Sequence, residues 1–369
     1  MLLACASCAQ KNTVSACLEG IEGDSVKVQV FDVNSSRTAI QSFMVPVQEG
    51  KFVFDLADSV VRSVTISNPS DEKGFNAARI FVVPGENAVL KGKLDSLVVS
   101  GSKFYKDQTA YEKLCEADQA RMKEIVNEYN AAADSENVDA VRDSLMNIYN
   151  EVNEDLVGIT KDFVKNNPAS LYAATLLSRI VGDNGIPALE AIEAMPDAVK
   201  NGAMKPLVDQ VQTRAEKAKA RSEAAELVKD GMQAPDFTLK NEKGEDFTLS
   251  SIYNQGKYII LDFWGEWCYW CKKGIPDMKQ MYKDAKGKIE ILSIDCGDKE
   301  DVWKNAIVEH ELPWLHVYNP GEKNNDLAVT YAIQGYPTKI ILNPDGTINK
   351  TIVGEDPEFY DYVRSLIKK

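Results

Sequence analysis

Two cysteines three residues apart, Cys268 and Cys271, stand in the segment Asp262-Phe-Trp-Gly-Glu-Trp-Cys268-Tyr-Trp-Cys271-Lys-Lys. Tyr258 to Trp264 is an apolar run broken only by Asp262, which suits a strand buried on both faces. A helix is expected to begin at the cysteines. The start of a helix carries unpaired N–H groups and partial positive charge. Both stabilise a thiolate and lower the pKa of the first Cys, and the thiolate is the attacking species in disulfide exchange. A three-residue step on a helix returns Cys271 to the side of Cys268. Cys268 is therefore read as nucleophile and Cys271 as resolving thiol. Two other readings of the pair stand beside this one. A structural zinc site needs a second Cys-x-x-Cys or Cys-x-x-His nearby, and His310 and His316, the chain's two histidines, do not offer that spacing. A pair of inert buried cysteines is the third.

The chain around this segment has 369 residues, 27% of them charged and 44% hydrophobic. That length suits two or three domains, and the composition is that of a globular protein. A formal net charge of -14 repels polyphosphate and anionic lipid, so neither nucleic acid nor a broad lipid surface is an expected partner. No apolar run reaches the length of a membrane-spanning helix. Seven cysteines are an odd number, too sparse for a disulfide scaffold.

The first residues, Met1-Leu-Leu-Ala-Cys5-Ala-Ser-Cys8, lack a basic region and a long apolar core, so they do not make a complete signal peptide. Small residues before a cysteine look like the end of a bacterial lipoprotein signal. Cys8, after Ala6 and Ser7, fits best as the lipidated residue, and Cys5 is the rival. On that reading the sequence begins part-way through the signal, and residues 1–13 are a signal remnant and tether. A ragged, unstructured start is the plainer alternative.

Residues 14–102 read as an antiparallel β-sandwich. Ser25 to Phe31 alternates apolar and polar; Phe52 to Phe54, Val60 to Ile66, Phe81 to Val83 and Ala88 to Lys93 supply further short strands. Residues 103–229 read as a helical connector. Tyr111, Leu114, Met122, Ile125 and Tyr129 are near helical spacing, and Val141, Leu145, Ile148, Val152, Leu156, Ile159 and Phe163 repeat it. Asn167-Pro168 should end that helix, because the residue before Pro avoids the helical region. Residues 230–369 alternate strand and helix: Phe237–Leu239, Phe247–Leu249, Tyr258–Trp264, a helix from the cysteines, Ile289–Ile294, a helix over 300–309, Thr338–Leu342, a turn at Asn343-Pro-Asp-Gly346, Thr347–Val353 and a last helix from Pro357.

Several spaced features of 231–369 together resemble the thioredoxin superfamily, and more closely the TlpA/ResA-like thiol–disulfide oxidoreductases of bacterial envelopes. They are Ala234-Pro-Asp-Phe237 at the domain opening, Trp267-Cys268-x-x-Cys271, Pro276 in the following helix, Gly335-Tyr-Pro337-Thr338, and Asn343-Pro-Asp-Gly346. The stretch between Asp295 and Tyr331 fits the envelope subfamily better than a short thioredoxin. The β-then-helical first half resembles a domain of unknown function fused to such proteins in Bacteroidetes-type bacteria. The resemblance implies an α/β thioredoxin fold at the C-terminus and a cis peptide bond before Pro337. It also implies docking of a client peptide as an added strand at Tyr336. An ordinary trans turn is the alternative, since cis bonds are rare.

Asp262 stands where thioredoxin keeps a buried acid. Burial among Ile259, Ile260, Leu261 and Phe263 should raise its pKa, and a near-neutral carboxyl can take the Cys271 proton, through water, when the mixed disulfide resolves. Many envelope relatives lack that acid, so its presence favours efficient release of reduced substrate. A structural Asp bonded to backbone is the alternative. Trp264 is expected in the core and Trp267 at the border of the site. Tyr269 and Trp270 lie between the cysteines, where thioredoxin has small residues, and should shape client fit. Glu266 is expected to be a solvated surface acid, with a site carboxylate as the alternative, and Lys272 and Lys273 either lower the thiolate pKa modestly or form a wet face. Cys17, Cys115 and Cys296 are expected to be small buried hydrophobes.

The leading function is an envelope thiol–disulfide oxidoreductase. It would reduce disulfide-containing client proteins, be re-reduced by a membrane thiol reductase, be tethered by lipid in the periplasm or cell envelope, and need neither cofactor nor metal. A peroxide reductase of the same fold would need Thr or Ser three residues before the cysteine and a nearby Arg; Gly265 occupies that place. A binding or scaffold module of an envelope complex, with the redox domain secondary, is the reading from a different class.

Overall fold

A computed structural model of the protein describes residues 11–34, 38–71, 77–132, 138–321 and 326–368; the proposed lipidation cysteines, Cys5 and Cys8, lie outside them. The chain forms two compact units that divide between Glu216 and Lys217.

The first unit begins with β1 (Lys11–Glu19), β2 (Ser25–Asp32), β3 (Gln41–Pro46), β4 (Lys51–Ala57), β5 (Arg62–Ser67), β6 (Ala77–Val82), β7 (Ala88–Lys93) and β8 (Ser96–Gly101). They form two four-stranded sheets, ordered β4-β1-β7-β8 and β3-β2-β5-β6. Every pairing is antiparallel except β1 with β7, which run parallel. Alternation decides what each strand buries: Val26, Val28 and Val30 of β2 and Phe52, Phe54 and Leu56 of β4 point inward. Phe43 of β3 meets Phe54 of β4 edge to face across the two sheets, with centroids 5.9 Å apart.

The helices of this unit are α1 (Lys103–Leu114), α2 (Glu116–Ala132), α3 (Val138–Asn166), α4 (Leu171–Leu176), α5 (Ile186–Ala194), α6 (Asp197–Lys200) and α7 (Lys205–Ala225), the last crossing the division between the units. α2 and α3 bury Ile125, Leu145 and Val152 against Met122, Val141, Ile148 and Leu156. α3 stops at Asn166, ahead of Asn167-Pro168. Among the described residues no helix is long and apolar enough to cross a membrane.

The second unit carries a seven-stranded mixed sheet of β9 (Thr238–Asn241), β10 (Asp246–Thr248), β11 (Tyr258–Trp264), β12 (Ile289–Cys296), β13 (Leu315–Asn319), β14 (Thr338–Leu342) and β15 (Ile348–Val353). The order is β10-β9-β13-β12-β11-β14-β15. β11, β12 and β13 are parallel, and β14 and β15 continue antiparallel. This is a thioredoxin fold, with α8 (Tyr269–Asp284), α9 (Glu300–Glu309), α10 (Leu327–Thr330) and α11 (Pro357–Ile367) around the sheet. β13 was not visible in the sequence pattern: Leu315-His-Val-Tyr-Asn319 is short and mixes polar with apolar residues.

The sheet is buried on both faces. Ile259, Leu261 and Phe263 of β11 enter one core layer, and Ile260 and Trp264 enter the other together with Cys268 and Cys271. Period-two alternation therefore aims Asp262 at the cysteine face. The same rule puts Ser293, Asp295 and Lys339 on that face, beside Ile291 and Ile341, and Cys296 on the opposite one.

Candidate active site

β11 ends at Trp264, and a short turn carries the chain to Cys268, the N-cap of α8. Three contacts hold this turn. The Cys268 N–H donates to the Gly265 carbonyl at 3.0 Å. The Glu266 N–H donates to Asp298 Oδ2 at 2.6 Å, and Trp267 Nε1 donates to the Cys296 carbonyl at 2.8 Å. Cys268 and Cys271 are joined as a disulfide with their Cα atoms 5.3 Å apart, and both are buried. The Cys271 N–H points at Cys268 Sγ at 3.1 Å. That N–H of the first helical turn, which lacks an intrahelical carbonyl partner, is the group that would hold a Cys268 thiolate once the bond is reduced.

Trp267, Tyr269 and Trp270 are all more than half exposed, in contrast to the cysteines they flank. Trp267 packs edge to face on Tyr336, with centroids 5.1 Å apart. The Tyr336–Pro337 peptide bond is cis, and Pro337 lines the same cavity as Cys271. Trp264 is in the core.

Asp262 is buried on the inner side of Cys271. Its Oδ2 accepts from Ser293 Oγ at 2.9 Å, and Ser293 Oγ in turn accepts from Trp314 Nε1 at 2.8 Å. Burial raises the Asp262 pKa above the usual carboxylate range, against the pull of Lys339 and the Ser293 hydrogen bond and with a push from Glu355. A cavity of about 10 Å³, lined by Asp262, Cys271, Ser293, Pro337, Lys339 and Glu355 among others, separates the carboxyl from the resolving cysteine. It has the volume of about one water.

Two expectations are corrected. Glu266 is not a solvated acid: its Oε1 pairs with Lys272 Nζ and its Oε2 meets His310 Nε2, both at 2.9 Å, and only 26% of its side chain is exposed. Burial pushes its pKa up, but Lys272 and His310 outweigh that and hold it below the ordinary value. The contact to His310 spans 44 residues of sequence, so no local pattern could announce it. Cys17 is exposed rather than buried: in β1 Val14, Ala16 and Leu18 take the inward positions and Cys17 falls on the other face. Cys115 and Cys296 are buried, and burial pushes the Cys296 thiol up to about 12. Lys272 is held by Glu266, and Lys273 sits over the Trp270 ring at 4.7 Å.

Lys339 and Glu355 were missed by the sequence reading. Lys339 is the cross-strand partner of Asp262, and its Nζ lies 2.6 Å from Glu355 Oε2. A lone Lys within the apolar strand Thr338–Leu342 was a signal of the same kind as Asp262 in β11. Glu355, in a loop, offered none. Among the described residues, no group of three or more His, Cys, Asp or Glu is arranged to hold a metal.

A thioredoxin fold with a Cys-x-x-Cys pair at a helix start, facing a cis-proline loop, defines a thiol–disulfide oxidoreductase domain. Sequence comparison with known proteins agrees. A family described as thioredoxin-like matches residues 256–348. ResA, a thiol–disulfide oxidoreductase of Bacillus subtilis, is 31% identical over 146 residues, 39% of this chain and 78% of that protein. ResA of Bacillus cereus is 31% identical over 126 residues, 34% of this chain and 70% of that protein. Among solved structures, the thioredoxin domain of a thiol–disulfide oxidoreductase from Bacteroides vulgatus is 28% identical, over 38% of this chain and 98% of that one, with a TM-score of 0.35. The chain belongs to the ResA family of thiol–disulfide oxidoreductases through its C-terminal third.

Proposed function

We propose that the protein is an envelope lipoprotein of the Bacteroidetes type that reduces disulfides in client proteins. The observation that carries the redox part of this reading is Asp262, a buried carboxyl with raised proton affinity one water-sized cavity from Cys271. Such a group serves the resolving step, in which reduced client is released. The Cys268 thiolate attacks one sulfur of the client disulfide, and the other leaves as a thiolate. Cys271 then gives its proton to the ionised Asp262 and attacks Cys268 Sγ, and the second client thiolate leaves. Two electrons pass to the client, and the Cys268–Cys271 disulfide remains. A membrane thiol reductase returns the pair to the dithiol.

The client segment docks as an extended strand beside Tyr336 and Pro337, with Trp267, Tyr269 and Trp270 as the exposed aromatic rim. Lipidation at Cys8, or at Cys5, keeps the domain in the periplasmic space. The measurement that tests the direction is the reduction potential of the pair, from thiol trapping and mass spectrometry in graded redox buffers. A value near about -250 mV or below marks a reductase, one near about -120 mV an oxidant. Absence of a two-electron transition would sink the redox reading.

A second reading, a binding or scaffold module, draws on the α2–α3 pair. There Val126, Tyr129, Met146 and Tyr149 are all at least 41% exposed around one apolar groove. Partners retained on the full chain by Cys268→Ser, but lost on Tyr129→Glu with Met146→Glu, would favour it.

A further inference from the structure

The cavity behind Cys271 contains a second carboxylate. Glu355 enters it from the loop between β15 and α11. One of its oxygens pairs with Lys339 at 2.6 Å, and the other takes the hydroxyl hydrogen bond of Tyr360. Lys339 is 2% exposed and has the Phe359 ring 5.1 Å from its Nζ, so Glu355 is the counter-charge that makes its burial tolerable. Glu355 can reach this place because residue 274, in α8 one turn beyond Cys271, is glycine. A Cβ at that position would overlap the Glu355 carboxylate.

The cation and the second carboxylate act on Asp262 with opposite sign. Lys339, its cross-strand partner, favours the ionised form, and Glu355 disfavours it. The remaining groups around Asp262 are Cys271 from α8, Ser293 from β12, Trp314 and, beyond Glu355, Tyr360 from α11 with Asp277 of α8 near it. None of these is a second cation. A bare lysine beside Asp262 would keep it ionised; a lysine whose charge is taken up by Glu355 leaves the proton affinity that burial creates.

We propose that Lys339 and Glu355 are paired positioning residues that set how tightly Asp262 holds the proton of the resolving step, with Gly274 providing the space for the Glu355 carboxylate. This rests on Asp262 as the proton acceptor, and the experiment separates the two claims. The full-length protein, reduced and charged at Cys268 with thionitrobenzoate, is followed as Cys271 closes on Cys268 and expels the coloured thiolate. The rate is recorded against pH.

The wild-type rate should rise with pH through an inflection above the usual carboxylate range, and Asp262→Asn should abolish that inflection. Its survival in Asp262→Asn would overturn Asp262 as the acceptor. With that control in place, Glu355→Gln should shift the inflection to lower pH and Lys339→Met to higher pH. Gly274→Ala, which evicts the Glu355 carboxylate, should move it the same way as Glu355→Gln. A merely structural role would move both partners' variants alike. Shifts of the same sign in Glu355→Gln and Lys339→Met, or none in either, would overturn the pairing while leaving Asp262 intact. If Lys339→Met does not fold by circular dichroism, the joint downward shift of Glu355→Gln and Gly274→Ala decides the outcome.

Discussion

The two units bury different kinds of polar group. Among the described residues of the first unit, the buried polar side chains are Asn12, Ser67, Asn68, Thr160 and Ser170, all uncharged. Two of them satisfy backbone N–H groups: Asn12 Oδ1 accepts from the Gly85 N–H at 2.6 Å, and Ser170 caps α4. The second unit buries the ionisable Asp262, Asp295, His316 and Lys339 besides the uncharged Ser293, Asn319 and Thr338. Removing a charge from water costs several kcal/mol unless it is paired or neutralised, and a fold that only needs stability has no use for it. All four ionisable groups lie on the sheet face that carries Cys268 and Cys271: His316, Asp262 and Lys339 stand in one cross-strand row with Ser293, and Asp295 follows two residues along β12. The difference teaches where the chemistry sits before any mechanism is assumed: perturbed ionisable groups gather at working sites.

The largest effect that can break this contrast is on turnover. Cys268→Ser should reduce reduction of a disulfide-linked protein such as insulin by on the order of 10³-fold or more, because no other nucleophile replaces the thiolate. Full activity of that variant would end the mechanism. Next comes stability. Lys339→Ala strands Glu355 as a buried, unpaired charge and should cost about 3–5 kcal/mol. Arg62→Ala in the first unit removes a partly exposed partner of Asp58 and Asp32 and should cost about 1 kcal/mol. Urea denaturation of both variants in parallel reads the ratio, and equal costs would erase the contrast.

A pH effect should follow from Asp295. Burial, and then Asp298 beside it, push its pKa up to about 8. The folded state thus keeps a proton that the unfolded chain releases near pH 4. The stability from this group is complete below about pH 4 and is lost as pH rises through about 8. Asp295→Asn cannot ionise, so its melting temperature should gain on wild type between pH 5 and pH 9; a constant difference across that range would mean that Asp295 titrates normally. The smallest expected effect belongs to the first unit: Cys17→Ser and Cys115→Ser should leave exchange activity unchanged within about two-fold. A large loss from either would bring the first unit into the chemistry.

Much of the fold was legible because it depends on local periodicity. Val26, Val28 and Val30 announced β2, the Leu145 to Leu156 stripe announced α3, and Asn167-Pro168 its end. The parallel pairing of β1 with β7 was not legible, since alternation names the buried face of a strand and not its neighbour. β13 escaped because five mixed residues carry too little pattern. At the site, the cysteines, Asp262 and the cis Tyr336–Pro337 bond lay in segments whose order along the chain was itself informative. Glu266 was misread because its partner His310 comes from the far end of another helix.

By itself, then, the sequence determined a strand, a turn and a helix that begins at Cys268, and with them a redox-active pair. Those features follow from φ/ψ preference, residue period and helix-end electrostatics, all of which act over a few residues. Only the tertiary structure decided what surrounds the pair. Lys339 reaches Asp262 through strand register, Glu355 reaches Lys339 through a loop, and Gly274 leaves the space that lets it in. Charges act through space over several ångströms in a low-dielectric interior, so the groups that tune a buried proton are chosen by packing and not by proximity in the chain.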